Sequence, residues 1–446
     1  MFVYRNKDLP EDPYFPADLA KLGYCITEND QLRSIKDHTA EFMYRINRNE
    51  RYNIKNREAT NDCIRAIISQ RLQDAGLEYM RLPLHTVNDR IIESENNVAH
   101  VPIMVSPNLN TADRIFVVFG EPMQDLGVWA YRVIGHDTIN KGSAVEFVNG
   151  VLGEENKTGN ALVLANTGQL LWNWATSRAV TTATWDSLPR PSGNWGAAAT
   201  SWRNKIPFNK DWREHIMHVF NNLLWPLVRG KQTRIDIIGI SEGGLGAIQF
   251  LDTNWQVWRP FISGICLGNP LQEVNADIDM STVTDPSSFP AFVSSRCRAY
   301  VLSDEKVGTR HSGYRQYGCN CYSAGEACHT ECILPSAWRD MLKWLDVLYK
   351  DPSYAEKVVI IGDDLEKETL EAMQDLKVTN DEEEGEAKVF PELAQEDVQN
   401  TKGPDGSEDA KKDAKEAAEM DAIDMGQQEG NSGEAQTNGA ETEKTA

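Results

Sequence analysis

The stretch RIDIIGISEGGLGAIQF, Arg234 to Phe250, holds a serine in a setting that suits a nucleophile. An apolar, strand-like run leads into Gly239-Ile240-Ser241-Glu242-Gly243, and a glycine-rich, helix-compatible run follows. A G-x-S-x-G sequence between a strand and a helix is typical of a nucleophile elbow, a tight turn that exposes the serine hydroxyl. Ser241 is therefore a candidate nucleophile.

A nucleophilic serine needs a base, an acid that orients the base, and donors for the oxyanion. After Ser241 the sequence has two histidines, and His329 follows a short apolar strand and a Ser-Ala-Gly turn. Asp304 and Glu305 follow the preceding strand, CRAYVLSD. Because adjacent residues leaving a strand point to opposite sides, only one of these two carboxylates can face the imidazole. The chain order serine, acid, histidine is that of α/β-hydrolases.

The expected oxyanion donors are the backbone N–H of Glu242 and that of Glu121, in the loop after RIFVVFG. Two features oppose catalysis at this place. Both residues carry a carboxylate, which is unfavourable beside a developing negative charge, and Pro122 lacks an N–H. The alternative is a strand–glycine–helix turn that serves the fold alone.

Negative charge is concentrated at the end of the chain. Residues 351–446 hold 28 Asp or Glu against nine Lys, a net charge of −19, which leaves −3 of the total −22 for residues 1–350. Residues 380–446 have few apolar and aromatic side chains, so we expect a disordered acidic tail there. Residues 351–379 are predicted to form a helical extension.

The body of the chain alternates buried, β-rich runs with helical patterns. The strand-like runs are LEYMRLPL (77–84), VPIMVS (101–106), RIFVVFG (114–120), ALVLAN (161–166), RIDIIGI (234–240), FISGICLG (261–268) and CRAYVLSD (297–304). This alternation predicts an α/β fold, a mostly parallel sheet covered on both faces in a three-layer sandwich. No run of about 18 apolar residues occurs, so we expect no membrane span, and we expect an intracellular protein with mostly reduced cysteines.

Residues 171–213 form a tryptophan-rich insertion with six Arg or Lys and two Asp. Its tryptophans are Trp172, Trp174, Trp185, Trp195, Trp202 and Trp212. Interleaved basic and aromatic residues can bind single-stranded nucleic acid. The favoured interpretation is a lid-like insertion whose tryptophans pack on the core, because indoles are costly to leave in water.

Four cysteines surround His329 in the pattern C-x-C-x6-C-x3-C: Cys319, Cys321, Cys328 and Cys332. Thiolates are zinc ligands, but the usual C-x2-C pairs are missing, so free thiols, or disulfides under oxidation, are the favoured interpretations. We expect no metal and no cofactor.

Several segments together resemble a known domain family. They include FPADLAKLGYCITENDQLRSIKD (15–37), IFVVFGEPMQDLGVWAYRVI (115–134), WREHIMHVF (212–220) with His215, ISEGGLG (240–246), and YSAGEACHTECILPSAWRDMLKWL (322–345). In this order they resemble the domain of fungal argonaute-binding protein two, of the related animal cotranscriptional-regulator family, and of the C-terminus of some fungal class II histone deacetylases. The resemblance spans about residues 15–350.

This resemblance implies an α/β-hydrolase-like fold. It also implies an argonaute- or chromatin-associated adaptor in small-RNA-directed silencing and heterochromatin assembly, in nucleus and cytoplasm. The implied partners are argonaute or a histone-modifying complex, with RNA contacted only indirectly and no membrane. A family segment similar to Ser-x-Glu-Pro-Leu selects Glu305 over Asp304 as the acid. The alternative function is an esterase-type serine hydrolase using Ser241, Glu305 and His329.

The sequence departs from the family pattern near the candidate site. Phe119 stands where the family has a histidine before the oxyanion-loop glycine. Ile240 stands where the family has a histidine before the nucleophile, and Glu242 replaces an aromatic residue after it. The serine and its following glycines are kept.

Overall fold

The strand-like apolar runs form one large sheet. The computed structural model describes residues 9–87, 90–153, 158–193, 196 and 198–362. Its strands are β1 (Tyr24–Ile26), β2 (Leu32–Ser34), β3 (Glu78–Leu82), β4 (His85–Val87), β5 (Arg90–Ile92), β6 (Val101–Val105), β7 (Arg114–Phe119), β8 (Asn160–Leu164), β9 (Leu171–Asn173), β10 (Arg178–Val180), β11 (Arg234–Ile240), β12 (Ile262–Gly268), β13 (Cys297–Val301), β14 (Arg310–His311) and β15 (Asn320–Ser323).

The helices follow the polar and amphipathic segments between these strands. They are α1 (Leu19–Leu22), α2 (Glu50–Asp74), α3 (Tyr131–His136), α4 (Val145–Leu152), α5 (Thr182–Ser187), α6 (Trp212–His218), α7 (Trp225–Val228), α8 (Glu242–Trp258), α9 (Phe289–Arg296), α10 (Tyr314–Tyr317) and α11 (Ile333–Lys350). A π-helical turn, Val219–Leu224, joins α6 to α7. Short 3₁₀ turns occur at Trp202–Asn204, Met280–Thr282 and Thr330–Cys332.

Nine strands of the described part of the chain make the main sheet, in the order β14-β15-β13-β12-β11-β7-β8-β6-β3. Six adjacent strands are mutually parallel: β8, β7, β11, β12, β13 and β15. At one end β6 is antiparallel to both β8 and β3, and at the other end β14 is antiparallel to β15. The two most central strands, β7 and β11, therefore end at the same edge, where the loop after RIFVVFG meets the turn at Ser241.

Two apolar clusters cover the two faces of this sheet. Along β7, Ile115 and Val117 belong to one cluster, and Phe116 and Val118 to the other, as the two-residue period of a strand requires. Helices α6, α8 and α9 contribute to the first cluster, and α2, α4 and α11 to the second. This arrangement confirms the predicted three-layer α/β-hydrolase fold with a mostly parallel sheet.

Residues 352–362, after α11, contain no helix and pack against the sheet edge near β13 and β15. The carboxylate of Glu356 pairs with Arg298 and accepts a hydrogen bond of 2.8 Å from the Tyr322 hydroxyl. Asn320 holds the Lys357 carbonyl at 2.9 Å and the Val359 N–H at 3.0 Å. The rest of the predicted helical extension, from 363 to 379, and the acidic tail, 380–446, lie outside the described residues.

The insertion 171–213 divides its tryptophans between core and surface. Trp172 and Trp185 are buried, whereas Trp174 and Trp202 are exposed by 58% and 79%. Trp195 lies outside the described residues. On its inner side the insertion is fixed to α2, because Arg51 donates to the carbonyl oxygens of Asp186 and Leu188.

Candidate functional site

Ser241 occupies a strained turn between β11 and α8. Its φ and ψ are 48° and −122°, and positive φ is unusual for a residue with a side chain. The backbone of this turn is anchored to the end of β12, because the Ser241 N–H donates to the Gly268 carbonyl oxygen at 2.9 Å. The strand–turn–helix geometry of a nucleophile elbow is therefore present.

The glycines around Ser241 are required by close backbone approach. A Cβ atom at Gly243 would overlap the carbonyl oxygens of Phe119 and Gly120, at the end of β7. A Cβ atom at Gly239 would overlap the Cα atom of Gly244. The first turn of α8 is thus pressed against both β7 and β11, and no larger residue fits at these two positions.

In the described ranges the Ser241 hydroxyl has two hydrogen-bond partners, and neither is a histidine. It donates to Oε1 of Glu121 at 2.8 Å and accepts from Nδ2 of Asn269 at 2.9 Å. Asn269 follows β12 with a φ of 47°, which aims its side chain at the turn. Ser241 is 5% exposed. The hydroxyl is therefore held by a carboxylate and an amide.

The loop after β7 does not offer the Glu121 N–H as an oxyanion donor. That N–H donates to Oε1 of Gln124 at 3.2 Å, within the loop itself. The Thr167 hydroxyl fixes the same loop from the end of β8, by donating to the Gly120 carbonyl oxygen at 2.6 Å. In the structure the Glu121 side chain contacts Ser241, while its backbone N–H is engaged by Gln124. The structure places Glu242, the other predicted donor, at the first position of α8.

Carboxylates crowd this turn. Burial raises the pKa of Glu121, and the nearby Glu242 and Glu331 raise it further, while the hydrogen bond from Ser241 acts in the opposite direction. The Glu121 carboxyl group is therefore more readily protonated than an ordinary glutamate.

His329 lies in a loop whose polar groups bond to one another, mainly to the Glu326 carboxylate. Its Nδ1 atom is 3.4 Å from Oε1 of Glu326, and the same oxygen accepts the backbone N–H groups of Cys328 and His329. Burial opposes ionisation of Glu326, but these hydrogen bonds prevail and lower its pKa. Within the described residues no hydrogen bond joins His329 to Ser241.

In the residues it describes, the structure does not bring either predicted acid into contact with His329. Asp304 and Glu305 are both exposed, and in the described part of the chain neither carboxylate bonds to His329. The Glu305 backbone N–H donates to the Ser303 hydroxyl at 3.2 Å, and its carbonyl oxygen accepts from the Ser323 hydroxyl at 2.8 Å. The turn after β13 thus directs both acidic side chains to solvent. A glutamate three residues before His329 reaches the imidazole first.

His215, the histidine that matches the family pattern, is a buried structural residue. Its Nε2 atom accepts the Asn166 N–H at 3.1 Å, and its Nδ1 atom lies 2.7 Å from Oδ1 of Asn209. Burial lowers the pKa of His215 to about 3, so the ring is neutral at physiological pH. It fixes the loop after β8, and through Thr167 that loop supports the one bearing Glu121.

The cysteines near His329 do not assemble a metal site. Cys319, Cys321 and Cys332 are buried, Cys328 is exposed, and all four are free thiols. In the described ranges no group of three or more His, Cys, Asp or Glu residues is arranged to hold a metal ion.

The sequence contained partial signals for the contacts that motif reasoning missed. Asn269 directly follows the buried run FISGICLG, and side chains after parallel strands meet at one edge of a sheet. Glu326 stands three residues before His329, within the reach of a single turn. The contact from Glu121 to Ser241 had no such local signal, because 120 residues separate the two.

Solved structures with a similar fold include hydrolases and a deacetylase. A histone deacetylase from Saccharomyces cerevisiae is 11% identical, with 64% of this chain and 96% of that chain covered and a TM-score of 0.35. Esterase LipW from Mycobacterium marinum is 11% identical, with 70% and 92% covered and a TM-score of 0.31. The peroxisomal α/β-hydrolase Lpx1 from Saccharomyces cerevisiae is 8% identical, with 69% and 98% covered and a TM-score of 0.29.

Curated protein sequences give no match to this chain. In the described ranges, no helix combines the length and the apolar character needed to cross a membrane. The sequence pattern of the Arb2 domain matches residues 15–307, which include Ser241 and Glu305 and end before His329. Because this match covers more than half of the 446 residues, the chain belongs to the Arb2 domain family.

Proposed function

We propose that this Arb2 domain is an interaction scaffold: an argonaute- or chromatin-associated adaptor in small-RNA-directed silencing and heterochromatin assembly. Its partners are argonaute or a histone-modifying complex, it contacts small RNA only through them, and it works in nucleus and cytoplasm. The observation that carries the non-catalytic part of this proposal is the hydrogen bond from Ser241 to Glu121. The family match supports the silencing and chromatin part.

The Glu121 carboxylate stands on the side of Ser241 from which oxyanion stabilisation is supplied in α/β-hydrolases, the loop after the central strand. A second negative charge about 4 Å from a developing oxyanion costs about 4 kcal/mol at an effective dielectric constant of 20. Losing one oxyanion donor costs about 2.7–4 kcal/mol, so this repulsion alone offsets one donor.

Among the residues that the structure describes, no histidine makes a hydrogen bond to the Ser241 hydroxyl either. A histidine that activates serine must lie within hydrogen-bond reach of its hydroxyl. Here the hydroxyl donates its single proton to Glu121 and accepts from Asn269, and His329 is engaged with Glu326. In this proposal the turn at Ser241 contributes to the packing of the core, and the surface of the domain binds the partners.

Affinity purification of the tagged full chain tests the adaptor role. We expect argonaute or histone-modifying subunits to be recovered equally with the wild type and with Ser241→Ala, because the hydroxyl has no chemical task. A variant with a disrupted turn, Gly243→Ala, is the matched negative control. Recovery of neither class of partner with the folded wild type contradicts the proposal.

One observation favours the alternative, an esterase-type serine hydrolase using Ser241, Glu305 and His329. A serine at φ 48° is strained, and such strain is often kept for function. This mechanism requires His329 to leave Glu326 and reach both Ser241 and Glu305. A fluorophosphonate probe separates the two functions: the adaptor stays unlabelled, whereas labelling of the wild type that disappears in Ser241→Ala establishes the hydrolase.

A further inference from the structure

A cavity of about 500 Å³ lies beside the candidate site, between α2, the segment that includes α3, and the start of α5. Three aromatic rings line it, those of Phe42, Tyr44 and Tyr131, together with apolar side chains such as Met123 and Ile134. This volume lies within the range of about 300–1,000 Å³ that is typical of small-molecule sites.

One cation in the cavity wall, Arg57, makes no direct ion pair within the described residues. It acts only electrostatically on Glu50, whose carboxylate is bonded to the Tyr44 hydroxyl and to Asn53. The guanidinium of Arg57 lies 5.2 Å from the centre of the Tyr44 ring, and in the described part of the chain it makes neither an ion pair nor a hydrogen bond. Five N–H donors of a partly buried arginine are therefore available inside a cavity with aromatic walls. A planar guanidinium of this kind suits a carboxylate, which it can bind through two parallel hydrogen bonds.

A second polar group stands next to it. Asn61 is four residues after Arg57 on α2, so the two side chains share one face of the helix, and both line the cavity. Within the described ranges the Asn61 side-chain amide has no hydrogen-bond partner either. It offers two further donors beside the guanidinium.

The acidic side chains of the wall are already engaged. Asp125 accepts from Arg65 at 2.9 Å and from the Tyr131 hydroxyl at 2.8 Å, and Glu331 pairs with Arg132 at 3.3 Å.

Glu58 bonds to Arg65 and accepts from the Thr184 hydroxyl at 2.9 Å, while burial raises its pKa and so reduces its negative charge. The imidazole of His136, which also lines the cavity, is in contact with the carboxylate of Glu41. In the described part of the chain, Arg57 is thus the wall cation whose guanidinium holds no carboxylate directly, which leaves its donors available to an anion.

We propose that this cavity binds a small organic monocarboxylate with an aromatic or branched apolar body. The carboxylate lies on Arg57 and Asn61, and the body packs against the rings of Phe42, Tyr44 and Tyr131. Binding requires nothing of Ser241, so the site is independent of the adaptor and hydrolase alternatives.

The test uses the full chain and three probe acids, benzoate, 4-phenylbutyrate and indole-3-acetate, each beside its uncharged amide. We expect saturable binding of at least one acid at concentrations on the order of 1 mM, measured by ligand-observed NMR, with its amide at least about tenfold weaker. Arg57→Gln lowers the affinity for that acid at least about tenfold, because a charge-assisted contact is lost. Arg45→Gln, which removes a nearby exposed charge outside the cavity wall, leaves the affinity within about twofold.

Asn61→Asp tests the same site with a nearly isosteric change. Its carboxylate is placed beside Arg57 and competes with the ligand, so binding falls at least about tenfold while the melting temperature is kept. The proposal is overturned if none of the three acids binds, if acid and amide bind equally well, or if both Arg57→Gln and Asn61→Asp retain wild-type affinity.

Discussion

The turn at Ser241 and the loop at His329 would be the two halves of a catalytic pair, and they differ in almost every physical respect. The turn is buried and has a strained backbone at Ser241. Its glycines allow the backbone to pack closely against the central strands β7 and β11. The loop is partly exposed, with the His329 side chain at 38%, and it satisfies its polar groups through its own Glu326. Core packing thus holds the turn in place, whereas in the described part of the chain His329 makes no hydrogen bond to Ser241 and contacts Glu326 instead.

The largest effect is expected from breaking the turn by Gly243→Ala. The added methyl group meets two backbone carbonyl oxygens that cannot rotate away, so we expect a loss of about 3 kcal/mol or more in the free energy of unfolding. Urea denaturation measures it. Gly196→Ala is the control, because a Cβ atom there meets open space. Equal unfolding midpoints for the two variants would mean that the turn is not tightly packed.

His215 and His329 can be compared through the pH dependence of the free energy of unfolding. The folded-state pKa of His215 is about 3, below its ordinary value of 6.5, so the unfolded chain binds the extra proton between these values. Stability from His215 is therefore present above pH 6.5 and is lost as pH falls toward 3. We expect His215→Gln to make the fall in unfolding free energy shallower, by up to about 1.4 kcal/mol per pH unit between pH 6 and 4.

His329→Gln is the matched control for that experiment. It removes a partly exposed imidazole that is not enclosed by the core, so we expect a smaller change of slope than for His215→Gln. A slope for His215→Gln that equals the wild-type slope would show that the buried ring is not held neutral.

Glu121→Gln should have a smaller effect, and it depends on pH in the opposite direction. Because the folded-state pKa of Glu121 is raised, the wild type loses stability as pH rises above about 4.5, the ordinary value. Glutamine keeps an acceptor for Ser241 without the charge. We expect the variant to be more stable than the wild type by about 1 kcal/mol at pH 8, with the gain absent at pH 4.

Chemical denaturation at the two pH values measures this difference. Asp304→Asn, at an exposed carboxylate, should show no such gain. Destabilisation of Glu121→Gln at pH 8 would indicate that the negative charge itself stabilises the turn.

The smallest effect is expected in the His329 loop. Glu326→Gln removes a partly exposed ion pair and keeps the oxygen that accepts two backbone N–H groups. We expect a change of at most about 0.5 kcal/mol in the free energy of unfolding, measured by urea denaturation. A loss of more than about 1 kcal/mol in the free energy of unfolding would mean that this loop, like the turn at Ser241, contributes to the stability of the fold.

The sequence by itself determined the sheet, the helices and the turn at Ser241. Runs such as RIFVVFG and RIDIIGI are too apolar to lie anywhere but in a core, and their lengths suit strands. The glycines around Ser241 also have a local cause, since only residues without a Cβ atom allow α8 to approach β7 and β11. Hydrophobic periodicity and side-chain size are local properties, so they can be predicted directly from the amino-acid sequence.

Only the tertiary structure decided which polar groups meet. The triad order was compatible with Ser241, Glu305 and His329, but the partner of Ser241 is Glu121 and that of His329 is Glu326. The meeting of Arg57 with the rings of the cavity is equally non-local. A hydrogen bond depends on side-chain direction to within a fraction of an ångström, and that direction is set by the packing of distant segments rather than by residue type or spacing.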